Sequence, residues 1–201
     1  EGWVEAMQEH NVPQWYIGSL AKIGYLFPKA HAVAYVMMAF RIAWFKVYQP
    51  LAYYAAYFTI RAEGSFNAPV ILKGLESQKA ELARIAALEH STAFEKGNAT
   101  VIEVAAEMYL RGIEFLPIDL DRSDASEFKM VDGKLLPPFN CIPALGDAVA
   151  KEIVRARDEH LFTSKEDLKK RGKVSQSIID TMDSMGILKN MPDEEQISLF
   201  S

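Results

Sequence analysis

One stretch of the chain, residues 27–48, is apolar on nearly every side of a predicted helix. It reads FPKAHAVAYVMMAFRIAWFKVY. Pro28 suits the first turn of a helix, and Pro50 ends the run because the residue before a proline is pushed out of helical geometry. A helix of this composition is expected to be buried in a larger protein. Three- and four-residue steps place these side chains on one face: His31, Tyr35, Met38, Ile42 and Phe45.

The charges around this helix have one sign. No carboxylate occurs from Pro13 to Ala62, and the cations of that stretch are Lys22, Lys29, Arg41, Lys46 and Arg61. A surface helix normally mixes signs, so the bias indicates an anionic partner for this region. A buried scaffold whose few cations extend outward to solvent is the alternative, and the sequence leaves both open.

The rest of the first half predicts ordinary packing helices. They are expected over residues 1–10, 15–25, 51–61, 68–89 and 100–111, with a loop over 94–99. Beyond Pro117 the pattern changes. Residues 126–131 and 134–136 alternate as two strands, and the Asp132-Gly133 dipeptide between them favours a tight hairpin turn.

Two turn-then-helix units follow this β-hairpin. The segment IPALGDAVAKEI has a tight turn at residues 144–146 that enters a helix. A weaker second copy, RGKVSQSII, places Gly172 and Lys173 before a helix capped by Ser175. The predicted fold class is therefore mainly α, with a helical first segment, a short β-hairpin and a small α domain built on paired helical hairpins.

These units carry the clearest binding chemistry in the chain. Backbone N–H groups in a glycine turn at a helix N-terminus can hold a phosphate oxygen, and cations on the next turns add charge. The pattern resembles the tandem helix-hairpin-helix module, which grips duplex backbone without reading bases. Its predicted DNA contacts are Leu145, Gly146, Asp147, Lys151, Arg155, Gly172 and Lys173, with Arg157 as a further cation. In the alternative interpretation the glycines only turn the chain.

The last eleven residues, 191–201, combine an acidic cluster with a short apolar motif. Gln196, Ile197, Ser198, Leu199 and Phe200 resemble the sliding-clamp-binding pentapeptide of bacterial replication proteins. Leu199 and Phe200 would fill a hydrophobic cleft, while Gln196 would enter a polar pocket. The alternative is that these side chains fold back onto the core of the chain itself.

Composition and spacing exclude several kinds of site. The chain has 201 residues, a net charge of −5 and one cysteine, so an internal disulfide framework is excluded and reduced, intracellular chemistry is the default. The histidines lack metal-ligand spacing, and the Asp119-x-Asp121 pair is expected to form a structural turn. No signal peptide is visible, and nine uninterrupted apolar residues over 32–40 fall short of the roughly 20 that a membrane span needs.

Together these blocks resemble one family over residues 3–200. FPKAHAVAYVMMAFRIAWFKVYQPLAYYAAYFTIRA is similar to the fingers segment of bacterial replicative DNA polymerase III alpha subunits. The PolC-type branch is indicated by Pro28 and by ATVIEVAAEMYLRGIEFLPIDLDRSDASEF, LPPFNCIPALGDAVAKEIV, KEDLKKRGKVSQSIID and QISLF. One departure concerns Ala144, which stands where helix-hairpin-helix motifs usually have glycine. A positive φ at this position would strain an alanine.

The resemblance implies three parts: a polymerase fingers segment over 1–116, a duplex-binding helix-hairpin-helix domain over 117–190 and a flexible clamp-binding tail over 191–201. In the family the fingers helix closes over the nascent base pair. The resemblance thus implies nucleotide contacts by Phe27, Lys29, His31, Tyr35 and Arg41, and a DNA contact by Lys46.

The resemblance also implies what this chain lacks and which partners it meets. The catalytic aspartates and the Mg²⁺ that they bind lie outside it, so no catalytic or metal-binding residue is expected here. The implied partners are primer–template DNA, a deoxynucleoside triphosphate, the sliding clamp and the palm, thumb, exonuclease and PHP parts of the polymerase. A cytoplasmic, nucleoid-associated protein with no membrane contact is expected.

Two other functions remain as hypotheses. The chain could be a stand-alone, non-catalytic DNA-binding and clamp-tethering module, which differs from the polymerase fragment mainly in having no upstream sequence. The missing initiator methionine favours the fragment. A helix-hairpin-helix glycosylase is a weaker alternative, since Asp158 lies only a short distance beyond the hairpin and among charged neighbours.

Overall fold

The computed structural model describes residues 2–24, 28–62 and 64–194. The chain forms two compact units, Glu1–Trp44 and Phe45–Ser201. The functional boundaries predicted near residues 116 and 190 stay predictions.

The described elements are mostly helices, which confirms the predicted mainly α class. The α-helices are α1 Trp3–Glu9, α2 Gln14–Ala21, α3 Lys29–Tyr48, α4 Pro50–Arg61, α5 Ala68–Ile71, α6 Leu75–Ala86, α7 Ala93–Leu110, α8 Asp147–Glu159, α9 Lys165–Arg171 and α10 Gln176–Ser184. The strands are β1 Lys129–Val131 and β2 Lys134–Leu136, and a 3₁₀ helix covers Phe139–Cys141. The central helix α3 begins in the first unit and ends in the second.

Helix α3 buries none of its residues within this chain. Its large apolar side chains stand in solvent, with Phe40 75% exposed and Val36 65% exposed. The prediction that this helix is buried in a larger protein is therefore not met by contacts inside the chain. Soluble proteins rarely leave such a large apolar surface uncovered.

Among the described residues, α3 is also the helix that is long and apolar enough to cross a membrane. The helix has 20 residues, and an 18-residue stretch of it has a mean hydropathy of 1.2. The prediction that this region is too short to span counted only its uninterrupted apolar run. Length alone therefore does not exclude a span, although Lys29, Arg41 and Lys46 all lie on the helix.

The second unit is built around an aromatic cluster. Phe58 of α4 contacts the rings of Phe66, Phe115 and Phe128 at centroid distances of 5.1–5.7 Å. Helix α7 adds buried Val101, Ile102, Ala105 and Met108 to this core. Full burial of a phenylalanine contributes about 1.5–3 kcal/mol, so this cluster is a principal source of the unit's stability.

A two-stranded antiparallel sheet closes one side of the core. Its register pairs Met130 with Leu135, and the turn residues Asp132 and Gly133 have φ values of 51° and 77°. Positive φ at both central residues is the geometry of the tight hairpin turn that Asp-Gly predicts. The hairpin is confirmed, although β1 starts at Lys129 rather than at residue 126.

One predicted helix and one predicted loop differ from the structure. The single helix over 68–89 is wrong: Gly74, at φ 94°, separates the short α5 from α6. The loop over 94–99 is also wrong, because α7 starts at Ala93 behind a capping box in which Thr92 and Glu95 exchange hydrogen bonds.

Candidate nucleic-acid interface

The first hairpin turn connects the 3₁₀ helix to α8. Ala144 has φ 65°, so the position does require the left-handed conformation that glycine adopts most easily. Leu145 follows with its side chain buried, and its N–H donates to the carbonyl of Ile142 at 3.1 Å. Gly146 is the N-cap of α8 at φ −80°. The residues at the start of α8, Gly146 to Ala148, are all exposed.

The second turn repeats this geometry position by position. Lys173 has φ 54°, Val174 is buried, and Ser175 is the N-cap of α10, with its Oγ accepting from the Ile178 N–H at 3.4 Å. A left-handed residue, a buried aliphatic and an N-cap therefore precede both α8 and α10. The weak second copy in the sequence is a structural repeat of the first.

Helix α8 presents most of the predicted duplex cations. Lys151 and Arg155 lie four residues apart and so share a face of the helix. Lys151 is exposed and makes no ion pair within the described part of the chain. Arg155 is held by Glu152 at 3.0 Å and by Glu159 at 2.5 Å.

Glu152 also joins the two turns. Its Oε1 accepts from Lys173 Nζ at 2.9 Å, so one carboxylate bonds cations from α8 and from the second turn. Hydrogen bonds from Arg155 and then Lys173 lower the pKa of Glu152 to about 2. The carboxylate is thus charged at any physiological pH.

Three other residues of the predicted DNA interface are engaged in contacts within the chain. Arg157 is buried and donates to the carbonyl of Ser123 at 2.6 Å, so it ties α8 to the loop before β1. Gly172 is buried, and a Cβ there would stand 2.7 Å from the carbonyl oxygen of Leu168. Asp147 accepts from Asn140 Nδ2 at 3.1 Å, and its negative charge would oppose a phosphate at this helix end.

Sequence reasoning missed two cations at the end of α9. Lys169 and Lys170 are both exposed, and Lys169 Nζ donates to Gln176 Oε1 at 2.9 Å. The run KKRGK is the signal that could have found them. Its Arg171 is engaged internally, since it bonds Asp167 at 3.0 Å and lies over the ring of Phe162.

Most of the residues predicted to contact the nucleotide lie on α3, between Lys29 and Arg41. The rings of His31 and Tyr35 meet at a centroid distance of 4.4 Å, which places them side by side on one helix face. Lys29 and Arg41 are exposed. Phe27 lies outside the described residues.

Lys46, predicted to contact DNA, has an internal partner in the second unit. Its Nζ bonds Glu107 Oε2 at 2.7 Å and lies 5.4 Å from the ring centre of Tyr53. The hydrogen bond that Lys46 donates to Glu107 raises the pKa of Lys46. Its carbonyl accepts from Arg111 at 2.9 Å, so the end of α3 is fixed to α7.

The candidate catalytic carboxylates have structural roles. Asp119 Oδ1 accepts from the N–H groups of Asp121 and Arg122 at 2.9 and 3.1 Å, which is the turn predicted for this pair. Asp158 is exposed and bonds the side chain of Arg157. In the parts of the chain that the structure describes, no cluster of three or more His, Cys, Asp or Glu side chains could hold a metal.

The start of the predicted tail is docked on α9. The N–H groups of Lys165 and Glu166 donate to the carbonyls of Pro192 and Asp193 at 2.9 and 3.1 Å. Lys165 Nζ also bonds the Asp193 carboxylate at 3.0 Å. The residues predicted to bind the clamp, Gln196, Ile197, Ser198, Leu199 and Phe200, lie outside the described residues.

Comparison with known proteins agrees with this geometry. A family described as a helix-hairpin-helix motif matches residues 112–197. A protein named DNA polymerase III PolC-type from Thermotoga maritima is 50% identical to the chain over 194 residues. Proteins of the same name from Bacillus subtilis and Pediococcus pentosaceus are both 52% identical to it, over 200 and 202 residues respectively.

These alignments cover 96%, 98% and 100% of the chain but 14% of each relative. The chain thus spans about one seventh of the length of the curated relatives that it matches. Over nearly its whole length, the chain is therefore homologous to a segment of PolC-type DNA polymerase III, and that segment includes a helix-hairpin-helix motif.

Proposed function

We propose that this chain is part of a replicative DNA-directed DNA polymerase and supplies sequence-independent duplex binding through its two hairpin turns. The observation that carries the proposal is the structural repeat at Ala144 and Lys173 within a segment homologous to a polymerase. Exposed residues follow both turns at the start of a helix, and Lys151, which makes no ion pair with the described residues, lies one turn into α8. Such groups fit phosphate oxygens, which are the same at every base pair.

Residues 29–41 of α3 would contact the incoming nucleotide. His31 and Tyr35 already stand together as an aromatic pair that could pack on a base, while Lys29 and Arg41 supply positive charge for phosphate. We assign Phe27 to the same site from the resemblance. Lys46 is proposed as a contact to the DNA, although its charge is already paired with Glu107.

Nucleotidyl transfer itself would require residues outside this chain. Mg²⁺ bound elsewhere in the polymerase would assist attack of the primer hydroxyl on the nucleotide. We further propose that residues 196–200 attach the polymerase to its sliding clamp, and that the protein acts in the cytoplasm.

A substitution at Lys151 in the full-length protein tests the duplex contact. Lys151→Ala should weaken binding to all duplex sequences alike and reduce the slope of log affinity against log salt by about one, as expected for the loss of one phosphate contact. Fluorescence anisotropy on two unrelated duplexes over a salt series measures both quantities.

The matched control is Lys96→Ala, which removes another exposed lysine, one that lies on α7 and outside both turn-then-helix units. It should change neither the affinity nor the salt slope. Equal losses in the two variants would mean that net charge, and not the first hairpin unit, determines binding. Discrimination between the two duplexes that depends on Lys151 would contradict a purely backbone contact.

A further inference from the structure

We propose that Glu152 is an internal competitor of the DNA backbone, which holds Arg155 and Lys173 in ion pairs and thereby limits duplex affinity. The inference rests on the proposed function, since it assigns a positioning and affinity-setting role within the same interface. It concerns a carboxylate that a phosphate-binding surface would not be expected to contain.

The geometry places one carboxylate behind two cations from different elements. Glu152 Oε1 bonds Arg155 Nη2 at 3.0 Å and Lys173 Nζ at 2.9 Å. The side chain of Glu152 is only 17% exposed, whereas those of Arg155 and Lys173 are 57% and 73% exposed. A phosphate approaching this surface therefore meets the cations first and the carboxylate beneath them.

These pairs are weak enough to be exchanged for phosphate. Ion pairs between exposed cations and carboxylates contribute little, typically 0–1 kcal/mol, because water and salt screen them. A DNA phosphate could thus replace or share the Glu152 carboxylate. Since Glu152 and Glu159 already pair these cations in the free protein, Arg155 and Lys173 bring fewer counterion-releasing charges to the duplex than their number suggests.

Such a competitor suits a polymerase that must hold duplex yet move along it. Lys151 makes no ion pair within the described residues and can make the first contact with the duplex. Arg155 and Lys173 would then exchange their ion pairs with Glu152 for contacts with passing phosphates. The duplex would then never meet the full charge of the surface. Affinity would be lower, and release of each phosphate easier, than for a surface of bare cations.

The experiment compares Glu152→Gln with Glu103→Gln in the full-length protein. Both substitutions remove one negative charge, but Glu103 lies on α7 and makes no ion pair within the described residues. Glu152→Gln should bind duplex on the order of fivefold more tightly near 0.1 M salt and show a steeper salt dependence. Glu103→Gln should bind as the unsubstituted protein does.

A second variant measures the coupling directly. Lys173→Met should cost more affinity in the Glu152→Gln background than alone, because only there does Lys173 carry its full charge to the phosphate. Additive losses would overturn the inference, as would unchanged or weaker binding by Glu152→Gln, or an equal gain in Glu103→Gln.

The proposed function fails by a different result. If Lys151→Ala left duplex affinity and salt dependence unaltered, the hairpin interface itself would be wrong. If Lys151→Ala weakened binding while Glu152→Gln did not strengthen it, only the role of Glu152 would be wrong.

Discussion

At the scale of single residues, the two hairpin turns show how a backbone angle and a buried side chain act together. Ala144 and Lys173 adopt positive φ without being glycine, which costs roughly 1 kcal/mol each. The next residue in each turn, Leu145 or Val174, is buried, and that burial contributes about 2 kcal/mol. The buried aliphatic thus outweighs the strained neighbour, so a turn without its usual glycine still keeps its shape.

Gly172 is needed for close packing, which a single methyl group can test. Gly172→Ala would put a Cβ 2.7 Å from the Leu168 carbonyl and 3.2 Å from side-chain carbons of Leu168 and Val174. The backbone must shift, so we expect a loss of about 1–3 kcal/mol in the free energy of unfolding. Urea unfolding followed by circular dichroism measures this loss.

The same substitution at the other turn is the control. Gly146 has φ −80°, and a Cβ there would meet nothing within 4 Å, so Gly146→Ala should cost much less. Equal destabilisation by the two variants would contradict a packing role for Gly172. A loss of duplex affinity by Gly172→Ala at unchanged stability would instead support its predicted DNA contact.

Sequence patterns predicted local geometry better than tertiary partners. The helix-hairpin-helix resemblance, with its usual glycine at this position, indicated where a positive φ could occur, and Ala144 has φ 65°. The burial of Arg157 has no such signal, because its partner is the carbonyl of Ser123, which is distant in sequence. Likewise, nothing local indicates that Arg155 and Lys173 share one carboxylate.

At the scale of elements, the errors lie where local signals conflict. Periodic apolar residues favoured one helix over 68–89, but Gly74 breaks it at a left-handed angle and Gln78 caps the end of α5 by donating to the Ile71 carbonyl. Polar residues in 94–99 looked like a loop. Asn98 is instead buried and bonds the carbonyl of Ser65, a tertiary contact invisible in the local pattern.

The segment 191–201 comprises a start that is docked on α9 and residues 196–200, which we propose as the clamp-binding motif. Pro192 and Asp193 bond the N-terminus of α9, so the position of the chain shortly before the proposed motif is fixed. Deleting residues 196–201 should therefore abolish clamp binding, at least a hundredfold, and leave duplex affinity unchanged, since the hairpin units do not depend on the motif. Surface plasmon resonance on immobilised clamp and duplex measures both.

Deleting Ser201 alone is the control and should preserve clamp affinity, because the pentapeptide remains intact. Clamp binding that survives loss of residues 196–201 would show that another surface makes the contact. Duplex binding lost with the same deletion would show that the motif also supports the DNA interface.

At the scale of the whole molecule, the exposed helix α3 is the strongest sign of missing contacts. None of its residues is buried by the described part of the chain, while the second unit has an aromatic core. The relatives extend well beyond this segment, which spans 14% of their length. We therefore expect other parts of the full-length protein to cover α3, as the sequence predicts for a fingers helix.

A substitution at Phe40 tests this expectation, because it should have opposite effects in this chain and in the full-length protein. In the 201-residue chain its side chain is 75% exposed, so Phe40→Asp should reduce self-association and leave the unfolding of the second unit unchanged. In the full-length protein the same change would bury a charge against an apolar partner. We expect it there to destabilise by about 2–4 kcal/mol and to lower nucleotide incorporation.

Thr100→Asp, which adds the same charge at an exposed polar position of α7, should have little effect in either form. Light scattering reports self-association of the chain, and thermal unfolding with primer extension reports the full-length protein. A full-length Phe40→Asp variant that extends primers and melts like the unsubstituted protein would mean that this face of α3 stays in solvent. The proposed position of α3 within the polymerase would then be wrong, while the duplex contact at the hairpin turns would still stand on its own test.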